Sequence, residues 1–129
     1  MTYLLDTVAF YRALDKTLPA KLLRRLQRSD SQLFVSIVTP WEIALKPALQ
    51  AHGMSNELVQ EKILELGARL LPITMEHTGL LYTLPYFEDH RDPFDRMLIA
   101  QALDERCPLV SNDQRFARYQ ARGLSVIWD

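Results

Sequence analysis

Five short apolar runs, set apart by amphipathic stretches, constrain the fold of this 129-residue chain more than any other feature. Tyr3-Leu4-Leu5, Leu33-Phe34-Val35-Ser36-Ile37-Val38, Leu70-Leu71-Pro72-Ile73, Pro108-Leu109-Val110 and Leu124-Ser125-Val126-Ile127 carry the aliphatic, β-branched and aromatic side chains that strands favour. Near-continuous apolar runs read as strands covered on both faces, which is the environment of a parallel sheet. Strands alternating with helices imply crossover units, so the expected class is α/β with a parallel sheet.

The intervening stretches carry helix signals. Between Pro19 and Arg28, Leu18, Leu22, Leu23 and Leu26 recur at helical spacing, with Lys21, Arg24, Arg25 and Arg28 on the remaining face. Ser55 stands as a cap before Leu58, Val59 and Ile63, while Glu57, Glu61 and Glu65 line a solvent stripe and Gly67 closes the segment. Leu84 to Asp92 looks irregular and leads into a helix from Pro93 to about Arg106. No repeat, linker or low-complexity tract interrupts the chain, so residues 1–129 are expected to form one domain.

Composition narrows the class. Hydrophobic residues make up 48% of the chain and charged residues 24%, which excludes intrinsic disorder. A formal net charge of -1 gives no global attraction to nucleic acid or membrane, so any contact with nucleic acid must use local basic patches. The lone cysteine, Cys107, reads as a reduced, buried thiol. No basic N-terminal segment with a cleavage site is present, and no apolar run approaches the ~18 to 20 residues of a membrane span, so a cytoplasmic location is expected.

Asp6, Glu42, Asp95 and Asp113 each stand where an apolar run hands over to a helix or its first turn. Each acid has a local account. Thr39-Pro40-Trp41-Glu42 and Asp92-Pro93-Phe94-Asp95 both read as a cap residue, proline at the first helical position, an aromatic, and an acid at the third. Asp6 suits a turn or N-cap, and Asp113 suits the cap of a short helix containing Phe116. Capping explains each acid singly but not their coincidence at one edge of one sheet, where open α/β folds bind ligands. Four converging negative charges repel without a cation, and an oxygen-only donor set suits Mg²⁺ or Mn²⁺ rather than zinc. His52, His77 and His90 show no paired metal-ligand spacing.

Taken in order, Tyr3-Leu-Leu-Asp6-Thr7, Val35-Ser-Ile-Val-Thr-Pro-Trp-Glu42-Ile-Ala-Leu-Lys46, His90-Arg-Asp-Pro-Phe-Asp95-Arg-Met-Leu-Ile-Ala-Gln-Ala102 and Leu109-Val-Ser-Asn-Asp113 resemble the PIN-domain ribonucleases, most closely the VapC-type toxins of bacterial toxin–antitoxin pairs. The resemblance implies a three-layer α/β/α sandwich and a Mg²⁺ or Mn²⁺ site that cleaves RNA. It assigns Asp6, Glu42, Asp95 and Asp113 as the acidic quartet, with Asp6, Glu42 and Asp95 the primary cluster and Asp113 completing it, directly or through water. Asp92, as the cap of the helix carrying Asp95, has an outer-shell role as its alternative, and Ser111 matches a hydroxyl position near the metal. Thr7 and Arg96 join them as outer-shell or substrate-contacting candidates. Val8 departs from the polar residue found in many relatives, and Lys46 is expected to pair with Glu42 on the helix surface. The resemblance also implies a small antitoxin partner and a homodimer.

If the site is a nuclease, RNA must meet positive charge near these acids. Lys21, Arg24, Arg25 and Arg28 form one basic stripe and Arg115, Arg118 and Arg122 a second, each readable as a solvated face or a docking surface for an acidic partner. Arg91 and Arg96 flank Asp95 and are better placed to meet phosphate. Trp41 and Phe94, at equivalent helix positions, are expected to pack in the core rather than stack on bases. An aspartyl phosphatase would want a second acid where Val8 stands, and a receiver domain would want an acidic pair on the first strand, where Asp6 is alone. The remaining alternative is a non-catalytic nucleic-acid or protein interaction module on the same fold.

Overall fold

The computed structural model describes residues 1–50 and 53–129, so His52 lies outside the described residues. Five strands form one sheet in which every pairing is parallel: β1 (Thr2–Leu5), β2 (Gln32–Ser36), β3 (Arg69–Leu71), β4 (Leu109–Val110) and β5 (Val126–Ile127). Their order across the sheet is β3-β2-β1-β4-β5. The chain winds outwards from β1 in one direction through β2 and β3, then crosses back to build β4 and β5 on the other side. β1 and β4 therefore flank the point where the winding reverses.

Alternation along the strands separates two cores. Tyr3, Leu5, Leu33, Val35 and Val110 point into one, where they meet Phe10 and Ala13 of α1 (Thr7–Leu14), Leu22 and Leu26 of α2 (Ala20–Leu26), and Val59 and Ile63 of α5 (Asn56–Glu65). Leu4, Leu71 and Leu109 point into the other, against Met97, Leu98 and Ile99 of α7 (Pro93–Glu105) and Phe116 and Tyr119 of the 3-10 helix Gln114–Arg122. The result is the three-layer α/β/α sandwich that the resemblance implied. Two short helices, α4 (Pro47–Gln50) and α6 (Met75–Leu81), complete the layers.

Helix ends follow their capping chemistry in most places. Ser55 Oγ accepts from Leu58 N at 3.1 Å, and Gly67, at φ 68°, carries the chain out of α5 in the left-handed conformation that glycine adopts without strain. Asp92 caps α7 with Pro93 at its first turn. Cys107 is buried between α7 and β4, and burial pushes its thiol up to about 11.

The second apolar run departs from its expected form. Strand β2 stops at Ser36, and Val38 already begins α3 (Val38–Leu45). Thr39 is therefore not the cap, Pro40 is the third helical residue rather than the first, and Glu42 lies in the second turn. Ser36 Oγ does the satisfying instead, accepting from Val38 N at 3.0 Å. Pro40 is tolerated there because the first four N–H groups of a helix have no intrahelical partner to lose. The third and fifth runs are also trimmed, with Pro72-Ile73 and Leu124-Ser125 outside their strands.

Candidate active site

The reversal point between β1 and β4 builds the site. Leu5 pairs with Val110, so the residues that follow both strands emerge side by side. Asp6 follows β1 and caps α1, its Oδ1 accepting from Ala9 N at 2.8 Å. Ser111 follows β4, is 3% exposed, hydrogen-bonds Asp6, and accepts from Asp113 N at 3.1 Å. Asp113 in turn caps the 3-10 helix through Arg115 N at 3.0 Å. Glu42 approaches from α3 and Asp92 and Asp95 from the first turn of α7. All five carboxylates line one cleft of about 310 Å³, together with Lys46, Asn112 and Arg115.

Every acid of the quartet is braced. Thr7 Oγ1 donates to Glu42 Oε1 at 2.6 Å, and Lys46 Nζ lies 2.5 Å from Glu42 Oε2 and 3.3 Å from Asp92 Oδ2. Asp92 uses its other oxygen to accept from Phe94 N at 2.8 Å and Asp95 N at 3.3 Å. Arg115 grips Asp113, with Nε 3.1 Å from Oδ1 and Nη2 2.7 Å from Oδ2, and Nη2 also comes within 3.9 Å of Asp95 Oδ2. His90 Nε2 contacts the same Asp95 oxygen at 3.2 Å. Asp95 Oδ1 is left without a hydrogen-bond partner among the described residues.

Electrostatics separates the four. Burial pushes the Asp6 carboxyl up to about 6, against its hydrogen bonds from Ser111 and Ala9, and the charges on Asp95 and Asp113 push it further. Asp95 is raised first by burial and then by Asp92, with His90 pulling the other way. Asp113 is held low, because the Arg115 guanidinium hydrogen-bonds it directly. Asp6 and Asp95, whose charging burial opposes, and Asp113, which Arg115 holds low, join Glu42 in an all-oxygen donor set. That set fits a hard divalent cation such as Mg²⁺ or Mn²⁺. No three of these acids bring their ligand atoms within 4.8 Å of one another; among the described residues the one trio of His, Cys, Asp or Glu that does is His77, Asp104 and Glu105, elsewhere in the molecule. His77 Nδ1 accepts from Thr74 N at 3.0 Å, so a neutral ring carries its proton on Nε2, which faces both acids at 3.4 Å. With no His77 lone pair offered to a metal, that trio clamps α6 to the end of α7.

Several expected contacts are placed differently. Arg96 is tied away from the cleft, its Nη1 donating to the Pro85 carbonyl at 2.9 Å. Arg28 pairs with Asp30, whose carbonyl accepts from the Met1 ammonium, so that end of α2 lies at the amino edge of the sheet, opposite the acids. The second basic stripe is an internal fastening: Arg118 holds Asp89, Arg122 holds the Thr83 carbonyl, and only Arg115 reaches the cleft. Arg91 stays exposed beside Asp92 without an acidic partner among the described residues. Phe94 is buried as expected, whereas Trp41 is 46% exposed and meets the Phe94 ring edge-on at 4.8 Å, because the early start of α3 turns Trp41 outwards. Sequence reasoning missed His90 as a partner of Asp95. Its position at the head of the third motif was the available signal.

No curated protein sequence matches the chain. Among solved structures, VapBC2 from Rickettsia felis, bound to a DNA fragment from their promoter, matches over 100% of both chains at 21% identity with a TM-score of 0.66. FitAcB from Neisseria gonorrhoeae matches over 97% of this chain and 96% of that one, at 17% identity and a TM-score of 0.60. A toxin–antitoxin complex from Klebsiella pneumoniae matches over 97% of this chain and 95% of that one, at 17% identity and a TM-score of 0.59. These likenesses are likenesses of fold. The PIN domain family matches residues 3–122, nearly the whole chain, and the protein belongs to that family.

Proposed function

We propose that the protein is a Mg²⁺- or Mn²⁺-dependent endoribonuclease that acts as the toxin of a toxin–antitoxin pair. The observation that carries this reading is the cleft itself: carboxylates from four separate segments meet at the reversal point of a PIN-family sheet, and each has its own brace. Asp6, Glu42, Asp95 and Asp113 would hold the metal, with Asp92, Ser111 and Thr7 behind them. When bound, the metal lowers the pKa of a coordinated water and neutralises charge on the scissile phosphate.

The chain's own residues do the rest. Thr7 and Lys46 fix Glu42, Ser111 holds Asp6 and the backbone of Asp113 together, and Arg115 and Arg91 offer positive charge at the rim for the flanking phosphates of an RNA strand. The partner side of the proposal rests on the folds that resemble this one, among them a toxin–antitoxin complex. A small antitoxin covering the acidic cleft, a homodimeric toxin, a single PIN-like domain over residues 1–129 and a cytoplasmic setting complete the reading. No described helix is long and apolar enough to cross a membrane.

The test is cleavage of a mixed RNA pool by the purified, partner-free protein, with Mg²⁺, Mn²⁺ or chelator, beside an Asp6→Asn/Asp95→Asn variant shown to be folded. Metal-dependent cutting that the variant lacks supports the proposal. A folded wild-type protein that cuts nothing with either metal turns the reading to a non-catalytic interaction module.

A further inference from the structure

We propose that His90 is a positioning residue for Asp95, held by Tyr119 in the tautomer that donates from Nε2, so that one Asp95 oxygen is tied back and the other is kept for the cleft. The proposal deepens the metal-site reading above and rests on it.

The geometry leaves the ring little choice. His90 is 1% exposed and Tyr119 is fully buried. His90 Nε2 lies 3.2 Å from Asp95 Oδ2, and His90 Nδ1 lies 3.0 Å from the Tyr119 hydroxyl. An ionised carboxylate can only accept, so the first contact requires the proton on Nε2. A neutral ring then has a bare Nδ1, and the Tyr119 phenol is the group that donates to it. The opposite tautomer would set two lone pairs against each other at Asp95 in a buried place.

The surroundings fix the ring as well as its proton. Phe116 and Tyr119 meet it edge-on, with centroids at 5.5 and 5.6 Å. His90 N donates to the Phe87 carbonyl at 3.1 Å, and the Phe87 ring packs edge-on against Tyr119 at 5.5 Å. Arg118 lies over Phe87 and grips Asp89, so the backbone that carries His90 is pinned from outside. The chain from Tyr119 through His90 to Asp95 thus connects the 3-10 helix to the first turn of α7. Its effect on Asp95 is that of an outer-shell partner on a ligand: it selects a side-chain rotation and assigns the two oxygens different work.

Two measurements on the full-length protein test this. Long-range ¹H–¹⁵N correlation at neutral pH reads the His90 tautomer directly, and a protonated Nε2 with a bare Nδ1 is the expected result. The opposite tautomer overturns the assignment without any variant having to fold. The second measurement titrates Mn²⁺, followed by the electron paramagnetic resonance of the free ion, into wild type, His90→Gln and His90→Asn. Glutamine can place an amide N–H where Nε2 stands, whereas asparagine is too short to reach Asp95. His90→Asn should weaken Mn²⁺ binding by about tenfold or more, and His90→Gln by less than about threefold. Equal affinities in the two variants, or no loss in either, would show that His90 does not position Asp95, while leaving the metal site intact. A wild-type protein that binds no Mn²⁺ overturns the metal reading and this assignment together.

Discussion

Lys46 Nζ lies 2.5 Å from Glu42 Oε2, and the same ammonium reaches Asp92 Oδ2 at 3.3 Å from the neighbouring helix. The i,i+4 pair expected on the helix surface is therefore also a bridge between α3 and α7, and Lys46 packs 5.3 Å from the centre of the Phe94 ring. Lys46→Met keeps the packing and removes the charge. It should lower stability by about 1 kcal/mol, since the ammonium is partly solvated. It should also enlarge the rise in melting temperature produced by Mg²⁺, because a cation then has two uncompensated acids to neutralise. Thermal melts with and without Mg²⁺ measure both, and an unchanged Mg²⁺ response would remove Lys46 from the site's charge balance.

Asp6 makes stability depend on pH in a defined direction. Its carboxyl is raised by burial from an ordinary 3.8 to about 6, so between those values the folded chain holds a proton that the unfolded chain has released. Stability should fall as pH rises through this window and stay lower above it. Asp6→Asn can keep the cap on Ala9 N and cannot ionise, so it should flatten the slope and stabilise the protein at neutral pH by on the order of 2 kcal/mol. Urea unfolding from about pH 4 to 8 reads the difference; a steeper fall in the variant would contradict the assignment.

The same protons compete with a metal. At about pH 5.5, where the raised Asp6 carboxyl is largely protonated, Mn²⁺ binding should release protons, and the release should shrink as pH rises above the carboxyl's pKa. Calorimetric titrations in buffers of different ionisation enthalpy count them. Proton uptake on binding would place the ion elsewhere.

How far the sequence was legible depends on how local the deciding interaction was. Asp92-Pro93-Phe94-Asp95 reads correctly because its capping bonds span two or three residues. Thr39-Pro40-Trp41-Glu42 shows the same pattern and means something else, since Ser36 turns β2 into α3 without a loop. The four acids were legible as a group because strand ends in a parallel sheet share an edge. The His90–Tyr119 contact was not, because the two are 29 residues apart and only the packed core brings them together. The partners of the second basic stripe were hidden for a similar reason: Arg118 and Arg122 answer to Asp89 and the Thr83 carbonyl across a loop that local spacing does not describe.

That difference at the β2–α3 junction is itself measurable. Ser36 is fully buried and its hydroxyl satisfies Val38 N, so Ser36→Ala should cost about 1 kcal/mol or more. Thr39→Val keeps the shape and loses only the hydroxyl's 3.3 Å contact with Thr7, so it should cost less. Equilibrium unfolding of the two variants ranks them, and the reverse order would restore Thr39 as the cap.

The central strand carries a consequence for how the protein folds. Leu4 pairs with Phe34 on one side and with Leu109 on the other, so β1 fills one edge with a strand close to it in sequence and the other with a strand far along the chain. Asp6 is carried by β1, whereas Ser111 and Asp113 come alongside it only when β4 docks. The cleft is thus completed by the longest-range pairing of the sheet, the step that costs the most loop closure.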